Sequence, residues 1–232
     1  DQIRFDYIYP PLLAQIIAPF TPTFSLNVIS MVWHILSIAM LVLSVLLVNR
    51  TVSQPKQRFV FWLMPLLFIP DVQSFWVGQI SMVLLGCFTI AWYAYRTDRP
   101  YLAGIVLALA TWLKVYPVFL IIYFMWKRDW KIVGSALVAG LLLGVLQILL
   151  SDLDTLMTYF TTVLPGLANN GQIIGLFKNS SILGFTFKLF TDTPDIIPLV
   201  DSPTLARVTR WILTILVVGG SALLITRHPK QK

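Results

Sequence analysis

A chain of 232 residues that is 57% hydrophobic, 12% charged and +7 in formal net charge does not read as an ordinary soluble domain, in which about a quarter of residues are charged. The cationic excess would suit a nucleic-acid binder, but the basic residues lie in short loops flanking apolar runs, the pattern of the positive-inside rule, so no nucleic-acid partner is expected. There is one cysteine, Cys87, in an apolar run; a single cysteine excludes an intrachain disulfide and gives no support to a metal site built on cysteines.

The chain opens on a polar stretch, Asp1 to Tyr9, without an initiator Met or signal peptide. It is expected to be preceded by at least one further membrane helix. Pro10 to Phe20 is apolar but too short to span a bilayer and is expected at the interface. Ser25 to Val48 is long enough to span, with Ser25 as N-cap. His34, within that span, has no ligand partner at metal spacing and is expected to be buried and hydrogen-bonded. Phe59 to Ile69 is short, bent by Pro65 and ended by Pro70, and Asp71 to Gly78 is a polar connection holding Phe75 and Trp76. Gln79 to Tyr95 spans and meets a basic turn, Arg96 to Pro100. Tyr101 to Leu113 and Pro117 to Trp126 form a broken pair around Lys114, followed by a second basic turn from Lys127 to Lys131. Ile132 to Leu150 spans; its Gly140 and Gly144 are expected to serve packing within the chain. Residues 151–204 form a long polar region with five Asp, Arg210 to Thr226 spans, and a basic tail follows.

Alternating the loops across a membrane sorts the charges. One side holds Arg50, Lys56, Arg58, Arg96, Arg99, Lys127, Arg128, Lys131, Arg227, Lys230 and Lys232 against Asp98 and Asp129 alone; the other holds six Lys/Arg and eight Asp. The first side is therefore expected to be cytoplasmic, provided that 59–69 crosses and that the halves around Lys114 go down and back. The stretch before Tyr9, Asp71, Lys114 and region 151–204 then share the outer face.

Lys114 carries the chemistry. A cation interrupts an apolar helix, and Pro117 breaks that helix three residues later. A charge at membrane depth marks a cavity or a functional site, a freed helix end offers backbone groups to a ligand, and a compact ammonium suits phosphate. The plain alternative is a lysine that snorkels to the interface. Tyr9, Trp76, Trp112 and Tyr116 equally suit an interfacial aromatic belt, Gln79 a helix cap, and Asp71 the cap of a loop. No P-loop, Rossmann glycine pattern, zinc spacing or Ser-His-Asp arrangement is present.

Three stretches then resemble a known family: Tyr9-Pro10-Pro11-Leu12; Gly78-Gln79 with Leu113-Lys114-Val115-Tyr116-Pro117; and Asn179-Ser180-Ser181. In this order they resemble glycosyltransferase family 87, the polyprenyl-phosphate-mannose-dependent membrane mannosyltransferases of the GT-C superfamily. The resemblance implies an all-α, polytopic transmembrane bundle of GT-C type with short and broken helices. It implies one transmembrane glycosyltransferase domain over 1–232, with 151–204 as an outer-face loop region. It implies a multi-pass plasma-membrane protein of a prokaryotic cell envelope, moving a hexose, mannose at family level, from a polyprenyl-phosphate donor to a lipid or glycan acceptor at the outer face. Lys114 and Tyr116 would bind the donor phosphate, and Tyr9, Gln79 and Asn179 would contact substrate. Neither metal nor cofactor is implied. The family's third element is usually Asn-Gln-Ser, and position 180 here is Ser. The catalytic Asp expected of a GT-C enzyme would precede Asp1; within this chain Asp6, which does not match the expected spacing, and Asp71 are the candidates. A transporter or channel with an anion site at Lys114 is the rival reading, and a non-catalytic membrane scaffold the third.

Overall fold

The computed structural model describes residues 9–51, 59, 62, 75–76, 78–169, 174, 179, 181–192 and 197–227. It is all-α and divides into two compact units, residues 1–159 and 160–232.

The first unit begins with a six-residue helix α1 (Leu12–Ile17) continued by a 3-10 turn (Ala18–Phe20), as expected for a stretch too short to cross. The long helix α2 (Leu26–Thr51) follows. Then come α3 (Ser81–Arg96), α4 (Pro100–Leu113), α5 (Val118–Trp126), α6 (Trp130–Leu150) and the short α7 (Leu153–Thr158). Two connections are very tight because non-glycine residues take the left-handed conformation: Asp98 at φ 54° between α3 and α4, and Arg128 at φ 56° between α5 and α6.

Contacts fix the directions. The Trp33 indole N–H donates to Gly78 O at 2.9 Å, and Met40 packs on Gly86, so α2 and α3 run parallel. Ile80, the N-cap of α3, and Leu84 and Cys87 within it pack against Ala110 and Leu113 of α4, while Ala91 and Ala94 pack against Ala103 and Leu107, so α3 and α4 are antiparallel. Gly104 lies against Ile132, Ser135 and Ala136, and the Trp112 indole donates to Gly140 O at 2.9 Å, so α4 and α6 are parallel. The short α5 provides the return, its end brought to that of α3 by a Phe124–Tyr95 ring contact at 5.1 Å.

Gly140 and Gly144 receive the Trp112 ring, which comes within 3.1 Å of where a Cβ of Gly144 would lie. They serve packing within the chain. Trp112, assigned in the sequence to an interfacial belt, is instead wedged between α4 and α6. Trp76 is 79% exposed, in keeping with a belt aromatic. His34 is half-buried and hydrogen-bonded, through Nδ1 to Ser30 O at 2.6 Å, with its ring edge-on to Phe75.

The exposed surfaces of the long helices are apolar. Leu26, Met31, Val32, Ile35 and Leu46 of α2 and Leu137, Leu141, Val145 and Leu149 of α6 all stand outward. Such a surface belongs in lipid, and α2, α6 and the last helix are each long and apolar enough to cross. The protein is an all-helical membrane protein.

The second unit holds α8 (Leu164–Asn169), α9 (Ile182–Phe190) and α10 (Pro203–Arg227), with α9 packed on α10. Two sequence boundaries shift. The last helix begins at Pro203, seven residues before the expected Arg210, because Ser202 caps it (Leu205 N–H to Ser202 Oγ, 3.4 Å) and Pro203 suits the first helical position. The stretch 151–204, expected as loop, contains helices: Asp152 caps α7 by accepting from Thr155 N–H at 2.6 Å, and Ser181 caps α9 by accepting from Gly184 N–H at 3.0 Å.

Candidate donor-binding site

The bundle of the first unit sorts its own charges. The described Lys and Arg of this unit are Arg50, Arg96, Arg99, Lys114, Lys127, Arg128 and Lys131. The helix directions place every one except Lys114 at one end of the bundle, with Asp98 and Asp129. Lys114 lies at the opposite end, with Asp152 and Asp154.

The α4–α5 break is built by local geometry. Lys114 leaves the helix in an extended conformation (φ −157°, ψ 134°), while its N–H still donates to Ala110 O. Pro117, fully buried, opens α5 with φ −57°, and turn bonds from Val118 to Val115 and from Phe119 to Tyr116 close the corner. The Pro ring therefore does what the sequence pattern implies: it ends one helix and starts the next.

The break is recessed. Gly144 lies at the level of Trp112, and α6 continues six residues beyond it, roughly 9 Å at 1.5 Å per residue. On the other flank α2 begins seven residues before Trp33, roughly 10 Å beyond the level of Gly78. Lys114 is thus below the rim set by the two long helices.

Around Lys114 the structure assembles residues far apart in sequence. Its Nζ is 5.5 Å from the centroid of the Tyr9 ring and 5.6 Å from that of Tyr116. The Tyr116 ring also meets Phe88 at 6.1 Å and is 47% exposed. Tyr9 packs on the cluster of Ile80, Leu84 and Leu113, so residues adjacent to Gln79 and to Lys114 form one apolar floor. Pro10 and Leu12, which follow Tyr9 in the chain, are fully buried. Gln79 is exposed and accepts from Ser81 Oγ at 3.3 Å; Gly78 before it holds φ 67°, a left-handed turn that only glycine adopts without cost. No carboxylate among the described residues pairs with Lys114. Its charge is held by two ring faces, an interaction of about 0.5–2 kcal/mol, and is left available to an anion.

Asp6 and Asp71 lie outside the described residues, as do Lys178 and Ser180. Asn179 belongs to the second unit. There its Oδ1 accepts from Ser181 N–H at 3.1 Å, its carbonyl accepts from Lys188 Nζ at 2.9 Å, and Gly184 packs against it closely enough that a Cβ would meet Asn179 Cγ at 2.6 Å. The Asn-x-Ser element thus builds a helix entry, Asn179 for the turn and Ser181 for the cap.

Two residues at this end of the bundle went unread in the sequence. Trp33 pins the Gly78 turn across 45 residues and carries no local signal. Gln147 of α6 is wholly buried, its Nε2 donating to Ser151 Oγ at 3.0 Å, and an amide in an otherwise apolar helix was the available signal for it.

A family model described as glycosyltransferase family 87 matches residues 7–232. The chain belongs to glycosyltransferase family 87. Its family element therefore runs from the Tyr9 corner through Lys114 to the last helix. The chain is also similar to a curated protein of Mycobacterium tuberculosis (strain ATCC 25618 / H37Rv), named polyprenol-phosphate-mannose-dependent alpha-(1-2)-phosphatidylinositol mannoside mannosyltransferase, with 26% identity over 169 residues. That match covers 66% of this chain, and the chain spans 39% of that relative's length. No solved structure matches significantly.

Proposed function

We propose that this family 87 glycosyltransferase takes mannose from a polyprenyl-phosphate donor at the outer face of the plasma membrane and passes it to a glycolipid acceptor, with Lys114 and Tyr116 holding the donor phosphate. The observation that carries the reading is the convergence of Tyr9, Gln79, Lys114 and Tyr116 on one recessed end of the bundle, opposite six Lys and Arg. The positive-inside rule favours the cation-rich end as the cytoplasmic one, which supports an outer recess. The relative's name supplies the donor and the class of acceptor.

In this reading the donor phosphate enters the recess and meets the Lys114 ammonium, with the Tyr116 hydroxyl as a second donor. The tyrosine rings keep the ammonium at the recess floor instead of letting it extend into bulk water. Lys114 neutralises charge that grows on the phosphate as the glycosidic C–O bond breaks. The acceptor hydroxyl attacks the anomeric carbon from the opposite side while a carboxylate takes its proton. This single displacement inverts the anomeric centre and asks no metal to take part. An apolar groove of about 720 Å³ along α4 and α6 starts at the cation-rich end with Tyr101, Trp130 and Lys131 and runs by Ile105, Gly134 and Val138 to Leu142; it is the place proposed for the far part of the isoprenoid tail. Tyr9 and Gln79 are proposed to contact substrate at the rim. Asn179, engaged in the α9 entry, is proposed to shape substrate contacts through that turn.

The test is transfer itself. Membranes containing the protein, given polyprenyl-phosphate [14C]mannose, are expected to label an extractable glycolipid, and membranes without it are not. Equal labelling in both, or use of a nucleotide sugar in place of the lipid donor, would contradict the assignment.

A further inference from the structure

We propose that the pocket between α9 and α10 binds the phosphodiester headgroup of a membrane lipid through Arg207 and Arg210. The cavity measures about 190 Å³ and is lined by both arginines together with Thr186, Phe187 and Thr191. That is several times the roughly 30 Å³ share of a water molecule, so it admits a polyatomic headgroup. Arg207 and Arg210 are three residues apart on α10 and so project from one face.

Neither arginine is ion-paired to a carboxylate among the described residues. The Arg210 guanidinium lies 5.4 Å from the Trp211 ring, which orients it without neutralising it. Thr186 has already donated its hydroxyl proton to Ile182 O at 2.9 Å, so the donors facing the cavity are the two guanidiniums and the Thr191 hydroxyl. Two guanidiniums offer planar forks that match the oxygens of a phosphate, and the wall opposite, Leu183 and Phe187, is apolar.

Depth supports a lipid source. Both arginines lie in the first two to three turns of α10, and the helix then runs apolar to Leu224 with Val208, Ile212, Ile215 and Leu216 exposed. A pair of cations at the entry of a membrane helix stands at headgroup level, with apolar surface below it for acyl chains. The site lies wholly within the second unit and does not depend on the donor reading at Lys114.

The experiment uses the full chain in mild detergent and native mass spectrometry. Phosphatidylglycerol is expected to remain bound as a single adduct, and diacylglycerol with the same chains is not. R207Q and R210Q should each weaken retention roughly 10-fold, and the double variant more. R207K/R210K keeps the charge and loses the forks, so it should bind more weakly than the native chain but more tightly than R207Q/R210Q, which separates loss of charge from misfolding. Lys114→Ala should bind phosphatidylglycerol normally, so that failure here and failure of the donor site are told apart. Equal retention of diacylglycerol, or unchanged retention in R207Q/R210Q, would overturn the proposal. Displacement of the lipid by an equal concentration of inorganic phosphate would overturn the lipid as source and leave a free-phosphate site.

Discussion

At the scale of single residues, the Tyr9–Lys114–Tyr116 group separates two jobs that one tyrosine can do. The Tyr116 ring lies 5.6 Å from the ammonium, and its hydroxyl is the group proposed to donate to a bound phosphate. Tyr116→Phe keeps the ring and removes the donor. A hydrogen bond to a charged group contributes about 1.5–3 kcal/mol, so kcat/KM for the lipid donor should fall roughly 10-fold or more while the detergent-solubilised protein keeps its melting temperature. An unchanged kcat/KM would remove the hydroxyl from the site. Asp152 gives a pH-dependent counterpart outside the membrane spans. It is fully exposed, and the Thr155 N–H bond holds its carboxyl below the ordinary range. Because the folded pKa is depressed, the cap is complete above the unfolded value, about 3.9, and is lost as pH falls through the folded one. Protection of the Thr155 amide against hydrogen exchange should therefore decline at acid pH, and Asp152→Asn should abolish that dependence, since an amide oxygen caps at any pH. Persistent acid sensitivity in Asp152→Asn would assign it to another group.

At the scale of elements, the α4–α6 interface is set by Gly104. A Cβ there would collide with Ile132 O and Ser135 Oγ, both fixed on the facing helix. Gly104→Ala should force the helices apart and destabilise the bundle by about 1–3 kcal/mol, read as a lower melting temperature in detergent; an unaltered one would mean that α6 yields freely. The same interface shows what the sequence could and could not disclose. The helices over 26–51, 81–96, 100–113 and 130–150 were legible because each is a continuous apolar run, and the break at Lys114 was legible because Pro117 forces it. Helix α10 was read late because Arg207 and Arg210 interrupt the apolar run, although Ser202-Pro203 already signalled its start. The helices within 151–204 were missed for a related reason: polar composition outweighed the caps Asp152 and Ser181, which are local and were there to be read. Trp112 looked like a belt aromatic because its partner, the Gly140–Gly144 surface, is 28 residues away, and the Trp33–Gly78 bond spans 45. Such pairings depend on helix directions that a single sequence does not reveal.

At the scale of the whole molecule, the order of charge along the bundle axis is the link between fold and activity. Sequence counting placed the cations on one side only by assuming that 59–69 crosses, a stretch that lies mostly outside the described residues; within the first unit the described helices themselves gather six Lys and Arg at one end. With Cys87 replaced by Ala, a single Cys at position 152 should react with a membrane-impermeant maleimide from outside intact cells, and one at position 128 should react only after permeabilisation. Reaction of position 128 from outside would invert the topology. The central claim is narrower, that the ammonium at the floor of the recess holds the donor phosphate, and it is tested most directly by mannose transfer in reconstituted membranes at matched expression. Loss of a charge-assisted bond of about 1.5–3 kcal/mol predicts that Lys114→Ala lowers transfer roughly 10- to 150-fold with folding intact, and that Lys114→Arg restores only part of it. Turnover of Lys114→Ala near that of the native protein would contradict the account and return Lys114 to a lysine that merely reaches for the interface.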